Sequence, residues 1–206
     1  MDFQIDTDPR CIINTSGSTG TPKGVFLYHR SFFEFTGVSI ENNKLLTHEV
    51  IGSLSPLVFD IWCFEHCLLM SQGSTLLFMP EQLSAFPIKK FGLLKLHQVS
   101  SILGVPTIMV NIANMNLLEY VSLPDLTIRW FAGEVLPTKQ CNYWQRMLCH
   151  SLSANLYGPI EITLSCTYSY INRDIAADEP LPIGIPYRNT EILILYDKDE
   201  LIDEGE

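Results

Sequence analysis

Thr15-Ser-Gly-Ser-Thr-Gly-Thr-Pro-Lys-Gly24 gathers glycines, hydroxyl side chains, one proline and one lysine into a single short run. Such a run is either a flexible linker or a backbone cradle for phosphate. Ile12–Ile13 before it and Val25–Leu27 after it read as buried strands, which a Gly/Ser linker does not carry on both sides. Glycine lets the backbone approach a ligand closely, and successive N–H groups then form a concave anion site to which Ser and Thr hydroxyls add donors. Lys23 supplies positive charge to anionic oxygens. The chemistry is that of a polyphosphate site. It is not the nucleotide P-loop, which needs glycine, lysine and then Ser or Thr at the mouth of a helix. Pro22 stands where that glycine belongs, Gly24 follows Lys23, and Val25-Phe-Leu-Tyr28 prefers strand. The glycine spacing of the dinucleotide fingerprint is absent as well.

The 206 residues suffice for a sizeable core, and 47% hydrophobic with 17% charged residues fits a globular chain. A net charge of −10 argues against a nucleic-acid surface, which needs clustered Lys and Arg. No apolar run reaches membrane-spanning length, and residues 1–10 lack a signal-peptide core, so a soluble, cytoplasmic protein without a membrane partner is expected. Six cysteines show no paired framework and read as reduced thiols. Cys63 and Cys67 would share a helix face, but no second close pair completes a metal site, and none is expected there.

Short β-branched or aromatic runs alternate with longer amphipathic stretches. Strands are expected at Cys11–Asn14, Val25–Tyr28, Glu49–Ser55, Ser74–Met79, Ser100–Val105, Thr127–Ala132 and Ala154–Tyr157. Helices are expected at Asp60–Met70, Pro87–Gln98, Pro106–Tyr120 and Thr138–Leu148. That alternation implies an α/β domain with largely parallel pairing. After Gly158 the rhythm changes to strands at Leu164–Ile171 and Glu191–Tyr196, separated by an acidic, proline-rich loop and expected to form a second sheet.

Thr15–Gly24 resembles, without a mismatch, the phosphate-loop motif of the adenylate-forming enzymes. That superfamily comprises acyl-CoA synthetases, luciferases and the adenylation domains of nonribosomal peptide synthetases. Phe131-Ala-Gly-Glu-Val-Leu-Pro137 is similar to the family's adenine-side loop, in the wording of its amino-acid branches and of D-alanyl carrier-protein ligases. Asn155-Leu-Tyr-Gly-Pro-Ile-Glu161 resembles the motif Asn-x-Tyr-Gly-Pro-Thr-Glu, and Leu181-Pro-Ile-Gly-Ile-Pro-Tyr-Arg-Asn-Thr190 the stretch that follows it. The fold implied is the large N-terminal domain of the adenylate-forming fold: a mixed, mostly parallel sheet flanked by helices, with a β-rich C-terminal portion. Residues 1–206 are expected to be a part of that domain, without its upstream strands and without the small C-terminal domain, which carries the ribose-binding aspartate and the mobile lysine. Little or no turnover by this piece alone is expected, as is low stability from exposed apolar edges.

The family's reaction is attack of a carboxylate on the α-phosphorus of ATP, giving an acyl-adenylate and pyrophosphate. By resemblance, Thr15, Ser16, Gly17, Ser18, Thr19, Gly20 and Lys23 would hold the β- and γ-phosphates. Tyr157 would stack near adenine, with Asn155, Leu156, Gly158 and the backbone of Ala132, Gly133 and Glu134 bounding the base. Glu161 matches the carboxylate associated with Mg2+. The chain departs from the pattern at Ile160, which replaces a threonine; a hydroxyl bonded to a charged group is worth roughly 1.5–3 kcal/mol.

In amino-acid-activating members an aspartate at the position of Asp60 pairs with the substrate α-ammonium; it also reads as an N-cap or helix-dipole partner. The pocket positions carried across are Ile61, Phe64, Leu103, Trp130, Ala132, Leu156, Leu164 and Ser165, which imply a small or medium apolar amino acid. The implied partners are ATP, that amino acid, and a carrier domain bearing a phosphopantetheine thiol. Two alternatives stay open: a non-catalytic remnant that binds nucleotide, and an acyl-CoA synthetase-like acid activator.

Overall fold

A computed structural model describes residues 5–15, 22–43, 45, 47–83, 86–176 and 178–195. The chain opens with an antiparallel hairpin, β1 (Pro9–Thr15) and β2 (Lys23–Tyr28), whose register pairs Thr15 with Lys23. Thus a strand does follow the glycine-rich run, in keeping with the exclusion of a P-loop. One face of the hairpin is apolar and packed: Ile13 and Leu27 join Phe32, Cys63 and Cys67 in a buried cluster.

Next come α1 (His29–Asn43), β3 (Val50–Ser53), α2 (Asp60–Gln72) and β4 (Thr75–Phe78). They are followed by α3 (Pro87–Leu96), β5 (Ser101–Gly104), α4 (Pro106–Asn114), β6 (Ile128–Phe131), α5 (Thr138–Met147) and β7 (Leu152–Tyr157). Proline at the first turn of α3 and α4 fixes a helical φ where the backbone N–H has no intrahelical partner. β8 (Thr167–Ile171) and the short β9 (Ile185–Pro186) complete a sheet of order β4-β3-β5-β6-β7-β8-β9. Pairing is parallel from β4 through β7 and antiparallel at β8 and β9.

Alternating side chains feed two cores, because successive strand residues point to opposite faces. Ile51, Leu103, Trp130 and Ala154 meet Phe35, Val38, Ile61 and Phe64 of α1 and α2. Ile102 and Phe131 meet Phe91, Leu94, Met109 and Trp144 of α3, α4 and α5. The result is three layers, with helices on both faces of a mostly parallel sheet.

Two expectations are corrected. The strands after Gly158 do not form a second sheet: β8 pairs directly with β7, and β9 with β8. Glu191–Tyr196 is not a strand over its described residues, since 191–195 are exposed and only Leu195 makes an isolated bridge; Tyr196 lies outside the described residues. The acidic, proline-rich loop expected over Asp174–Pro186 gives up its last two residues, Ile185 and Pro186, to β9. No helix among the described residues is long and apolar enough to cross a membrane.

Candidate active site

In an open parallel sheet the carboxyl ends of the strands form the natural crevice for a ligand, next to the point where strand order reverses. Here the reversal is at β3, with β4 on one side and β5 on the other. Asp60 follows β3, Val105 follows β5, Ala132 follows β6 and Gly158 follows β7. Those four exits surround two cavities.

The first, about 240 Å³, is lined by Gly133, Glu134, Asn155, Leu156, Tyr157 and Gly158, together with Val135, Leu136, Leu181 and Ile183. Six of the residues expected to bound adenine therefore stand around one space. Tyr157 is 49% exposed, so its ring is available to a ligand and not part of the core. Asn155 donates from its amide to the Pro182 carbonyl at 2.9 Å, tying the end of β7 to the Leu181–Gly184 segment. Gly184 makes that segment possible: at φ +90°, a Cβ there would lie 1.9 Å from the Tyr168 carbonyl oxygen.

A second cavity of about 410 Å³ is lined by Asp60, Ile61, Ala132 and Leu164, with Phe59, Val105, Pro159 and Ile160. Gly133, Glu134 and Gly158 line both cavities, so the two meet across that backbone seam. Gly158 is fixed by contact: a Cβ on it would sit 2.5 Å from Ser165 Cα. Thr163 (φ 65°) and Leu164 (φ 63°) both adopt the left-handed region beside it, which costs free energy in non-glycine residues and is common at ligand sites.

Asp60 is the first residue of α2, while Phe59 is the N-cap, so the dipole-partner reading survives and the N-cap reading does not. Its Oδ1 accepts the Ile61 N–H at 3.0 Å, and the Leu164 backbone also bonds the carboxylate. Burial nevertheless raises its pKa above the ordinary value, with these backbone bonds opposing. No cation among the described residues forms an ion pair with it.

Glu134 shows a role its motif did not reveal. Its Oε2 accepts both the backbone N–H of Thr107, at 2.9 Å, and the Thr107 hydroxyl, at 2.5 Å. The side chain thus satisfies the N-terminus of α4 and leaves the loop backbone facing the cavities.

The remaining expected residues are distributed as follows. Phe64, Leu103 and Trp130 are buried in the core beneath the Asp60 cavity and line neither space, with the Phe64 and Trp130 ring centroids 6.0 Å apart. Leu156 lines the Tyr157 cavity, not the Asp60 one. Ser165 is buried, with its hydroxyl 3.4 Å from Tyr187 Oη. Thr15 and Lys23 end and begin the hairpin strands, whereas Ser16, Gly17, Ser18, Thr19 and Gly20 lie outside the described residues. Ile160 packs on the Ile13–Leu27 cluster, which gives a packing reason for an alkyl group where the motif has a hydroxyl. Glu161 is exposed in the turn that follows Pro159. Among the described residues no group of three His, Cys, Asp or Glu side chains is placed to hold a metal. A lone carboxylate still suits Mg2+, which commonly takes one or two carboxylates and completes its shell with phosphate oxygens and water. The wall residues Leu181 and Ile183 and the floor residue Val105 had no part assigned from the sequence; Leu181-Pro-Ile-Gly184 was the available signal for the wall.

The family pattern described as AMP-binding enzyme matches residues 4–206. A D-alanine–D-alanyl carrier protein ligase of Bacillus cytotoxicus is 28% identical over 200 residues, covering 95% of this chain and 39% of the ligase. A delta-poly-L-ornithine synthetase of Acinetobacter baumannii is 31% identical over 201 residues, 96% of this chain and 14% of the synthetase. The chain therefore spans well under half the length of these relatives. The Vibrio cholerae adenylation domain AlmE, solved in complex with glycyl-adenosine-5'-phosphate, matches with a TM-score of 0.83 at 26% identity, over 97% of this chain and 37% of its own. McyG A-PCP, complexed with phenylalanyl-adenylate, matches with a TM-score of 0.86 at 22% identity over 100% of this chain and 34% of its own, a likeness of fold.

Proposed function

Because the chain belongs to the AMP-binding enzyme family, we propose that it is part of the large domain of an ATP-dependent enzyme that activates a small amino acid as its adenylate and passes it to a carrier-protein thiol. One observation carries this reading: a half-buried carboxylate without a cationic partner among the described residues, Asp60, lines a cavity that shares Gly133, Glu134 and Gly158 with the cavity at Tyr157. A substrate ammonium at Asp60 offsets the cost of burying that charge. The substrate carboxylate then reaches the seam between the cavities, where the α-phosphate of a nucleotide seated at Tyr157 belongs. An oxygen of the carboxylate bonds to the α-phosphorus as the bond to the bridging oxygen breaks, and pyrophosphate leaves. Lys23 and the run before it hold the departing phosphates. Glu161 would hold Mg2+ together with phosphate oxygens, and the ion offsets their negative charge. A phosphopantetheine thiol on a carrier domain is the acceptor that the reading implies.

A short, apolar substrate side chain is supported by what lies under the cavity. Phe35, Phe64 and Trp130 form an edge-packed aromatic series there, at centroid separations of 4.9 and 6.0 Å. The other carboxylate lining the cavity, Glu134, is engaged at Thr107. That leaves no ready partner for a second substrate ammonium and favours alanine- or glycine-sized acids over ornithine. The test is amino-acid-dependent ATP–pyrophosphate exchange by the intact protein. Exchange is expected with glycine or alanine of either hand, and its loss in Asp60→Ala for amino acids. A folded intact protein that exchanges with no amino acid overturns the reading.

A further inference from the structure

We propose that Cys11 and Cys63 form a redox modification site, a thiol pair that peroxide converts to a disulfide tying β1 to α2. Their Sγ atoms are in contact at 3.8 Å across 52 residues of sequence. Cys11 is half-buried and Cys63 buried. Both line a cavity of about 600 Å³ that also has Arg10, His66 and Trp62 on its walls and meets the Asp60 cavity only at Phe59. A small oxidant thus has a route to the sulfurs. A metal site is the competing use of such a cluster. The described residues offer no third ligand, and His66 Nδ1 already faces an Arg10 N–H at 2.7 Å.

The chemistry balances with peroxide as oxidant. One sulfur bonds a peroxide oxygen as the O–O bond breaks, giving a sulfenic acid and water. The second sulfur then displaces the hydroxyl, which leaves as a second water carrying that thiol's proton. Burial and the neighbouring Cys63 sulfur push the Cys11 thiol up to about 12, and thiolate is the reactive form, so oxidation of the pair is slow. Bond formation draws the sulfurs together by about 2 Å to disulfide length. β1 runs from Cys11 straight to Thr15 at the edge of the glycine-rich run, and Cys63 lies one helical turn beyond Asp60. The bond therefore joins the strand that leads into the glycine-rich run to the helix that begins with Asp60, the carboxylate proposed to hold the substrate ammonium.

The linkage is read without reference to activity; its effect on exchange rests on the function proposed above. The intact protein is held in hydrogen peroxide, alkylated, and digested with trypsin without reduction. The expected product joins peptide 11–23 to peptide 45–89, forms equally in Cys67→Ser, and is absent from Cys11→Ser and Cys63→Ser. Exchange is expected to be lost on oxidation and recovered with dithiothreitol in the wild type and in Cys67→Ser, while Cys63→Ser keeps its exchange through the same treatment. A Cys63–Cys67 link, or sulfinic and sulfonic acids at Cys11 with no cross-link, overturns the proposal. Cross-linking that leaves exchange intact overturns its regulatory consequence while leaving the function reading untouched.

Discussion

Glu65 sits on α2 at 1% exposure, its Oε2 accepting the Ser53 hydroxyl at 2.6 Å and its Oε1 without a hydrogen-bond partner among the described residues. Burial pushes its pKa up to about 7, with the Ser53 bond opposing. The folded protein then holds a proton that the unfolded chain releases above the ordinary carboxylate pKa. Stability from the buried neutral acid is complete below about 4.5, falls as pH rises from there, and is gone once pH passes the folded value of about 7. The span corresponds to about 3 kcal/mol. Glu65→Gln keeps an acceptor for Ser53 and cannot ionise. Urea titrations at pH 5 and pH 8 should therefore show the wild type losing stability between the two and the variant losing less. Equal pH dependence in both proteins would place Glu65 in a solvated setting, against its burial. No sequence cue marked this residue, because a Glu between Phe64 and His66 looks like an ordinary helix charge; its burial follows from β3 and α1 closing over that face of α2. Asp60 and Gly158 were legible from motif wording. The turn of the Glu134 carboxylate onto Thr107, 27 positions away in sequence, was not.

At the scale of elements, Arg129 holds the C-terminal end of α5 to the sheet. It is fully buried on β6 and donates to the carbonyls of Trp144, Leu148 and Ser151, at 2.9, 3.2 and 3.0 Å, and to Ser153 and Gln145. Its guanidinium also lies 5.9 Å from the Trp144 ring centroid. The Trp144 and Leu148 carbonyls lie at the end of α5, where they also accept the backbone N–H groups of Leu148 and Ser151, and a cation there complements the helix dipole. Burial draws the Arg129 pKa down to about 10, still well above neutrality. Arg129→Met is expected to cost about 3 kcal/mol, since it leaves the Ser151 carbonyl buried without a donor and removes the charge from the helix end. The urea midpoint of the variant checks this; a change below about 1 kcal/mol would mean the packing alone holds α5. Most strands and four of the five helices fall where hydrophobic period and proline placement put them. The helix that the sequence did not disclose is α1. Its Phe, Thr, Val and Ile content leans toward strand and Gly37 interrupts it, yet Phe32, Phe35, Thr36 and Ser39 follow helical stride into the core. The strand expected at Glu191–Tyr196 errs in the other direction, for its described residues 191–195 are strand-prone yet, without a ladder neighbour, remain exposed.

For the whole molecule, the sheet order and the two cores explain why segments far apart in sequence converge. β5, β6 and β7 run parallel, so the residues just past their ends, Val105, Ala132 and Gly158, arrive at one edge, and α2 brings Asp60 to the same place. The motifs told which segments cooperate. They did not tell that the space divides into a Tyr157 side and an Asp60 side with Gly133, Glu134 and Gly158 as the common wall, because that division depends on how loops distant in sequence pack against one another. The proposed function places nucleotide and amino acid in those two joined cavities. Its most direct test is a crystal structure of the intact protein with a non-hydrolysable aminoacyl-adenylate analogue, an alanyl- or glycyl-sulfamoyl adenosine. The base is expected against Tyr157 and the Gly133–Leu136 loop, with the ammonium on Asp60 and the sulfamoyl group at the Gly133–Gly158 seam. A base seated in the cavity between Arg10 and His66, or an ammonium away from Asp60, would contradict it.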